Sequence, residues 1–329
     1  MKKWLPILLA AGVLAACSDS AEETTDTQND QQAEETEEPA EESAESAESA
    51  FPVTVTDANG DEITIEEQPD AIVSMLPSNT EIAYALGLDE EIVGVSDFDN
   101  YPEEAMEVEK IGGMEFNVEK IIALQPDVVL AHASNPGGAD GLQQIEDAGV
   151  PVVVIENAMT FDEVYDTIEK IGQVTGTTEE AEQIIADMEA GFDEIAEKAA
   201  NISEEDRKSV LVDVAGPPEM YVAGNNTFIQ EMLELINAEN VMADQEGFVP
   251  LTEEEVVTRN PDVALLTYGY YVEGAVDQWM SYEGFSQVTA VTEEAVFEVP
   301  SDPVTRSGPR LVEGTQALAE AIYPDVFAE

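Results

Sequence analysis

The chain has 329 residues, 43% of them hydrophobic, enough apolar material for one large domain or two ordinary ones. Asp and Glu number 73 against 11 Lys and Arg, a formal net charge of -62. Such a surface repels phosphate backbones and excludes nucleic acid as a partner; it reads as a solvated acidic surface that favours no particular cationic partner. A single cysteine, Cys17, excludes an intramolecular disulfide and a cysteine-based metal cluster. A single histidine, His132, excludes a His-rich zinc or manganese site and a two-histidine iron triad. The HExxH, GxSxG, GxGxxG and P-loop motifs are absent.

The chain opens with Lys2 and Lys3, followed by an apolar run from Trp4 to Ala16. Thirteen residues are too few to span a bilayer of about 30 Å as a helix, so the run predicts a signal-peptide core. It ends in Leu14-Ala15-Ala16-Cys17, which resembles the lipobox of bacterial lipoproteins. The resemblance implies cleavage before Cys17, a lipid on its thiol, and an extracytoplasmic protein anchored to the outer face of the cell membrane. Residues 1–16 are then the signal peptide and 17–50 the lipidated cysteine with its tether. From Ser18 to Ala50 there are thirteen acidic residues and neither a basic nor an aromatic one. Too little apolar surface is available there to offset ordering entropy, which predicts a disordered, self-repelling tether.

From Phe51 onward, short apolar runs alternate with helical periodicity. Val53 to Val55 and Ile63 to Ile65 flank Asn59-Gly60 and predict a hairpin. Ala71 to Met75 predicts a buried strand, and Ser78 to Glu81 the start of a helix running to Leu86. Ile92 to Val95, Val128 to Ala131 and Val152 to Ile155 are further strand candidates with helical stretches between them, the pattern of parallel strands with helical crossovers. From Thr177 to Asn201 one apolar stripe (Ala181, Ile184, Ile185, Met188, Phe192, Ile195, Ala199) predicts a helix of about 35 Å. Thr177 with Glu180 predicts a capping box at its start, and Gly191 inside it a cost of about 1 kcal/mol. A second strand-helix series follows, with strand candidates at Val210 to Val214, Val263 to Leu266 and Val296 to Val299. The expected organisation is an N-terminal α/β lobe over 51–176, an interlobe helix over 177–201 and a C-terminal α/β lobe over 202–329.

The two series share a repeat. Residues 119–130 read EKIIALQPDVVL and residues 254–265 read EEVVTRNPDVAL. Glu119, Pro126 and Asp127 match Glu254, Pro261 and Asp262 at an offset of 135. Each copy predicts a short helix, a Pro-Asp turn and a buried strand, with Asn117 and Thr252 placed to cap the helices. The same order in both halves points to a duplicated lobe.

Ser74-Met75-Leu76-Pro77-Ser78-Asn79-Thr80-Glu81 with Leu86-Gly87-Leu88, Val93-Gly94-Val95-Ser96 with Tyr101-Pro102, Ile111-Gly112-Gly113, both Pro-Asp-Val repeats, and the tail from Ser301 to Arg310 form a set of segments in chain order. Together they resemble the ferric-chelate and cobalamin solute-binding proteins of ABC importers. The resemblance covers Phe51 to the C-terminus. It implies an α/β fold of two Rossmann-like lobes bridged by one long α-helix, with a ligand cleft between them and modest closure. It implies a monomeric binding protein, not an enzyme. Its partners would be an ABC permease with its ATPase subunits, docked through one surface glutamate per lobe, by position Glu119 and Glu254.

The tail holds two of the four arginines, Arg306 and Arg310. Arg306, in a loop before a helix, is a candidate to grip a carboxylate, phosphate or amide oxygen of a ligand, with Asp302 beside it. Arg310, just after Pro309, reads as a stabiliser of the helix start. By position the cobalamin-binding members imply cleft aromatics at Phe98, Tyr221 and Phe248, with His132 at another such position. The chain departs from their pattern in having no tryptophan there, its two being Trp4 and Trp279. The expected ligand is a metal chelate, first a cobalamin-type corrinoid. A ferric siderophore is the alternative, and then haem, with His132 and one of Tyr268, Tyr270 or Tyr271 as axial ligands. No cofactor of its own and no protein-ligated metal are expected. A hydrolase using paired carboxylates has little support, because 73 acidic residues offer pairs by chance.

Overall fold

The computed structural model describes residues 51–133, 138–216 and 220–327. The signal segment 1–16, Cys17 and the rest of the 17–50 tether lie outside the described residues. The fold begins with the antiparallel pair β1 (Val53–Thr56) and β2 (Glu62–Ile65), Val53 opposite Ile65. Asp57 closes their turn, its Oδ1 accepting from the backbone N–H groups of Asn59 and Asp61 at 2.8 and 3.0 Å.

The first sheet contains β3 (Ile72–Ser74), β4 (Ile92–Gly94), β5 (Val128–His132) and β6 (Val152–Ile155) in the order β4-β3-β5-β6, every pair parallel. The crossovers carry α1 (Pro77–Ala85), α2 (Val118–Ala123) and α3 (Ala139–Asp147). β-Branched runs covered on both faces form these strands, and β3, β5 and β6 are buried throughout. α4 (Phe161–Thr175) then returns, capped by Thr160, whose hydroxyl accepts from Glu163 N, and ended by Gly176 at φ 76°.

α5 (Thr178–Ala199) is the long helix, 22 residues or about 33 Å. Its buried stripe is Ala181, Met188, Phe192, Ile195 and Ala199. The expected capping box does not form, because the Thr177 hydroxyl pairs with that of Thr175 at 2.8 Å instead. Gly191 has a packing reason. A Cβ there would come within 2.7 Å of Val312 Cγ1, so the glycine lets the C-terminal helix lie close against α5.

The second half contains β7 (Ser209–Ala215), β8 (Met220–Ala223), α6 (Phe228–Leu235), β9 (Glu239–Asn240), β10 (Phe248–Leu251), α7 (Glu253–Arg259) and β11 (Val263–Leu266). α8 (Ala275–Met280), α9 (Thr289–Thr292), β12 (Val296–Glu298), α10 (Ser301–Thr305), α11 (Leu311–Ile322) and α12 (Pro324–Phe327) complete it. Its sheet runs β10-β8-β7-β11-β12, with β9 added beside β7. The expectation of parallel strands holds for β7, β9, β11 and β12. β8 and β10 form an antiparallel margin, so this sheet is mixed.

The repeat is visible in three dimensions. Gln125 and Asn260, each just before the proline, both adopt left-handed conformations with φ 52° and 49°. Asp127 Oδ2 accepts from the N–H groups of Asp70 and Ala71, which lead into β3; Asp262 Oδ2 accepts from Ser209 N and Oγ at the start of β7. In both halves the Pro-Asp turn ties the repeat strand to the beginning of its parallel neighbour. One buried cluster runs from Ile72 and Ile155 of the first sheet, across Met188 and Phe192 of α5, to Val210 and Leu265 of the second. The α/β fold is thus two Rossmann-like lobes bridged by a single long helix.

Candidate functional site

A cavity of about 350 Å³ opens between the lobes. The first lobe contributes Leu76 to Ser78 beyond β3, Phe98 beyond β4, His132 at the end of β5 and Asn157 beyond β6. The second contributes Thr305, the last residue of α10, with Arg306 and Ser307 just beyond it. The walls therefore lie at the carboxyl ends of the parallel strands, where open α/β sheets leave a crevice. A larger cavity of about 600 Å³ lies beside it in the first lobe, sharing Asn157 and lined by Glu156, Glu163, Asp166 and Glu169. Of these two, only the smaller draws residues from both lobes, and it alone meets the carboxyl ends of the strands of the first sheet together with the arginine tail, so it is the candidate site.

Each residue at the cleft is positioned by its neighbours. Phe98 is 53% exposed on a loop fixed from beneath by Asp99, which is buried and accepts from Ser96 Oγ at 2.5 Å. Lys110 Nζ donates to the carbonyls of Asp99 and Ala105 at 3.1 Å. Burial pushes the Asp99 carboxyl up, and the hydrogen bonds from Ser96 and Thr80 and the Lys110 charge oppose it. His132 is buried in the β5–β6 ladder opposite Ile155, and burial pushes its imidazole below the usual histidine range.

Arg306 sits at the centre of a network that crosses between lobes. Its Nη1 is 2.6 Å from Glu81 Oε1 on α1 and its Nη2 is 3.1 Å from Asp302 Oδ1. Arg310 shares Glu81 Oε1 at 3.5 Å, reaches Glu313 at 3.3 Å, and lies 3.9 Å above the Tyr101 ring. Asn100 Nδ2 donates to Asp302 Oδ2 at 3.0 Å. The Glu81 side chain is 2% exposed. Burial pushes its carboxyl up, and the hydrogen bond and charge of Arg306 and the charge of Arg310 pull it back down.

The structure thus brings Phe98, His132 and Arg306 together, with Asp302 behind Arg306. It places Tyr221 and Phe248 on the antiparallel margin of the second sheet, Tyr221 opposite Pro250 and Phe248 opposite Ala223. Phe248 packs edge-on against Phe228 at 6.2 Å, and neither lines this cleft. Glu119 and Glu254 are exposed in the first turns of α2 and α7. Asn117 caps α2, and Thr252 with Glu255 forms a complete capping box on α7. Sequence reasoning missed Glu81 as the partner of both arginines. The available signal was the arginine count, since two guanidiniums four residues apart need a carboxylate.

The family described as "Periplasmic binding protein" matches residues 72–303, and the chain belongs to it. It is a substrate-binding protein of the ABC-transporter class, not an enzyme. A Bacillus subtilis protein described as an uncharacterised ABC transporter substrate-binding lipoprotein, YvrC, is 43% identical over 99% of this chain and 98% of its own length. A vitamin B12-binding protein of Vibrio campbellii is 28% identical, covering 76% of this chain and 88% of that one. The crystal structure of a possible iron-binding, periplasmic solute-binding protein from Staphylococcus epidermidis superposes with a TM-score of 0.71. It is 34% identical and covers 78% of this chain and 100% of that one. Among the described residues no helix is long and apolar enough to cross a membrane, and no cluster of three or more His, Cys, Asp or Glu could hold a metal ion.

Proposed function

We propose that the protein is lipidated at Cys17, stands on the outer face of the cell membrane, captures a metal chelate between its lobes, and hands it to an ABC importer. The chelate we favour is a cobalamin-type corrinoid. The carrying observation is the interlobe cleft, where an exposed ring, a buried imidazole and an arginine converge at strand ends. Phe98 offers a free face to a flat ligand. The vitamin B12-binding relative supports the corrinoid reading, and the possible iron-binding neighbour keeps a ferric siderophore as its alternative. Haem is the third reading. It is favoured by one feature, a histidine at the cleft, His132, whose charged form burial disfavours.

A thermal-shift screen with cyanocobalamin, haemin and ferric siderophores, each with visible spectra, tests the ligand. A saturable rise with cyanocobalamin is expected, because a ligand held by the native state alone must raise the melting temperature. A rise with haemin and a Soret change would instead put His132 at the iron, and a rise with a siderophore alone would replace the corrinoid.

Glu119 and Glu254 occupy equivalent positions in the duplicated halves, which supports their use as paired docking points on a basic permease surface. Reversing both charges should leave ligand affinity unchanged and abolish uptake in cells. Uptake that survives the double reversal removes the docking assignment.

A further inference from the structure

The one cation at the cleft is already neutralised. Arg306 is the single charged residue among the described residues lining the cavity, and it contacts both Glu81 and Asp302. Arg310, the next guanidinium, is likewise held by Glu81 and Glu313. Two positive groups therefore meet three carboxylates. The second Glu81 oxygen is buried and makes no hydrogen bond. The nearby cations contribute nothing further: Lys110 donates to the backbone beneath Phe98, and Lys170 is paired with Glu156 at 2.5 Å. Burial disfavours a charge on His132.

Resting on the reading of this cleft as a chelate site, we propose that it selects chelates that carry no net negative charge, and that Glu81 sets this selection by neutralising Arg306. An anionic chelate would have to draw Arg306 away from Glu81. That would leave a carboxylate with a 2% exposed side chain short of its nearer partner, inside a chain of net charge -62. An uncharged or cationic chelate leaves the pair intact. It meets Phe98, the His132 imidazole and the hydroxyl and amide groups of Ser78 and Asn157. Glu81 itself does not line the cavity, so it acts on the ligand through Arg306.

The test uses the full-length lipoprotein in detergent and three probes: ferrioxamine B, which is cationic, cyanocobalamin, which is neutral, and ferric enterobactin, which is polyanionic. Affinities are measured calorimetrically at low and physiological salt. Wild-type protein should hold a neutral or cationic probe at least about tenfold more tightly than ferric enterobactin. Glu81→Gln should raise the affinity for ferric enterobactin by about tenfold, more strongly at low salt, as freed charge requires. Asp302→Asn removes the less buried of the two carboxylates on Arg306 and should shift the preference the same way, so the test survives a folding defect in the first variant. Retention of ferrioxamine B without cyanocobalamin would sink the corrinoid reading and support the charge rule. Ferric enterobactin held as tightly as the other probes, or a preference unchanged in both variants, overturns the rule.

Discussion

Wild-type protein is expected to gain about 3 kcal/mol of stability relative to an Asp213→Asn variant as pH falls from about 7 to about 4. Asp213 is fully buried near the end of β7, where its Oδ2 accepts from the Tyr268 hydroxyl at 3.2 Å and its Oδ1 from Ala215 N at 3.4 Å. Burial pushes its carboxyl from the usual 3.8 up to about 7, against the pull of these hydrogen bonds. The native state therefore keeps a proton that the unfolded chain has released above pH 3.8. Each step up in pH through that window favours unfolding, and the contribution is gone once the native carboxyl has ionised. The asparagine variant has no such proton, so subtracting its urea-unfolding curve cancels the titration of the other carboxylates. A difference that stays flat between pH 4 and 7 would mean that Asp213 is ionised in the native protein throughout.

Arg306→Ala is the second large effect. Removing the guanidinium leaves Glu81 buried with only Arg310, at 3.5 Å, to face it. Breaking a buried pair from one side costs about 3 kcal/mol at neutral pH. The loss should shrink on acidification, because Glu81 is already pushed up by burial and loses its strongest opposing partner. The sign follows: a carboxyl raised in the folded state is tolerated while protonated and destabilises as pH climbs past its unfolded value. The double variant Arg306→Ala/Glu81→Leu should recover most of the loss, since neither charge then remains unpaired. Chemical denaturation of the two single variants and the double closes the cycle. An Arg306→Ala protein with unchanged stability and lost ligand affinity would make Arg306 a ligand grip instead of a strut between the lobes.

The parts legible in the sequence were those with local grammar. Nine strand candidates, the long helix and the Pro-Asp repeat all rest on short windows, and all appear in the structure. β8 and β10 escaped notice because of their prolines. β8 follows Pro217-Pro218, and Pro250 lies inside β10, which is tolerable only because β10 is the outermost strand of its sheet. The Thr177 capping box failed because Thr175, two residues away, competed for the same hydroxyl. At the cleft, Arg306 follows from the scarcity of arginine, and Phe98, His132, Tyr221 and Phe248 from position in the resemblance alone; Phe98, His132 and Arg306 line the cavity, whereas Tyr221 and Phe248 lie on the margin of the second sheet. Glu81 was hidden by distance. Its partner lies 225 residues along the chain, and no spacing rule reaches that far.

The ring of Phe51 lies against Gly176, where a Cβ would come within 2.7 Å of it, so the first described residue is seated at the root of the long helix. Fifty residues precede it. A pull on the chain at Phe51 is delivered to the junction of α4 and α5, where the first lobe passes into the long helix. Tension along the chain at Phe51 would reorient the whole body about this pivot and leave the gap between the halves unstretched. A binding protein held at this point can turn as one body without prising open its own grip.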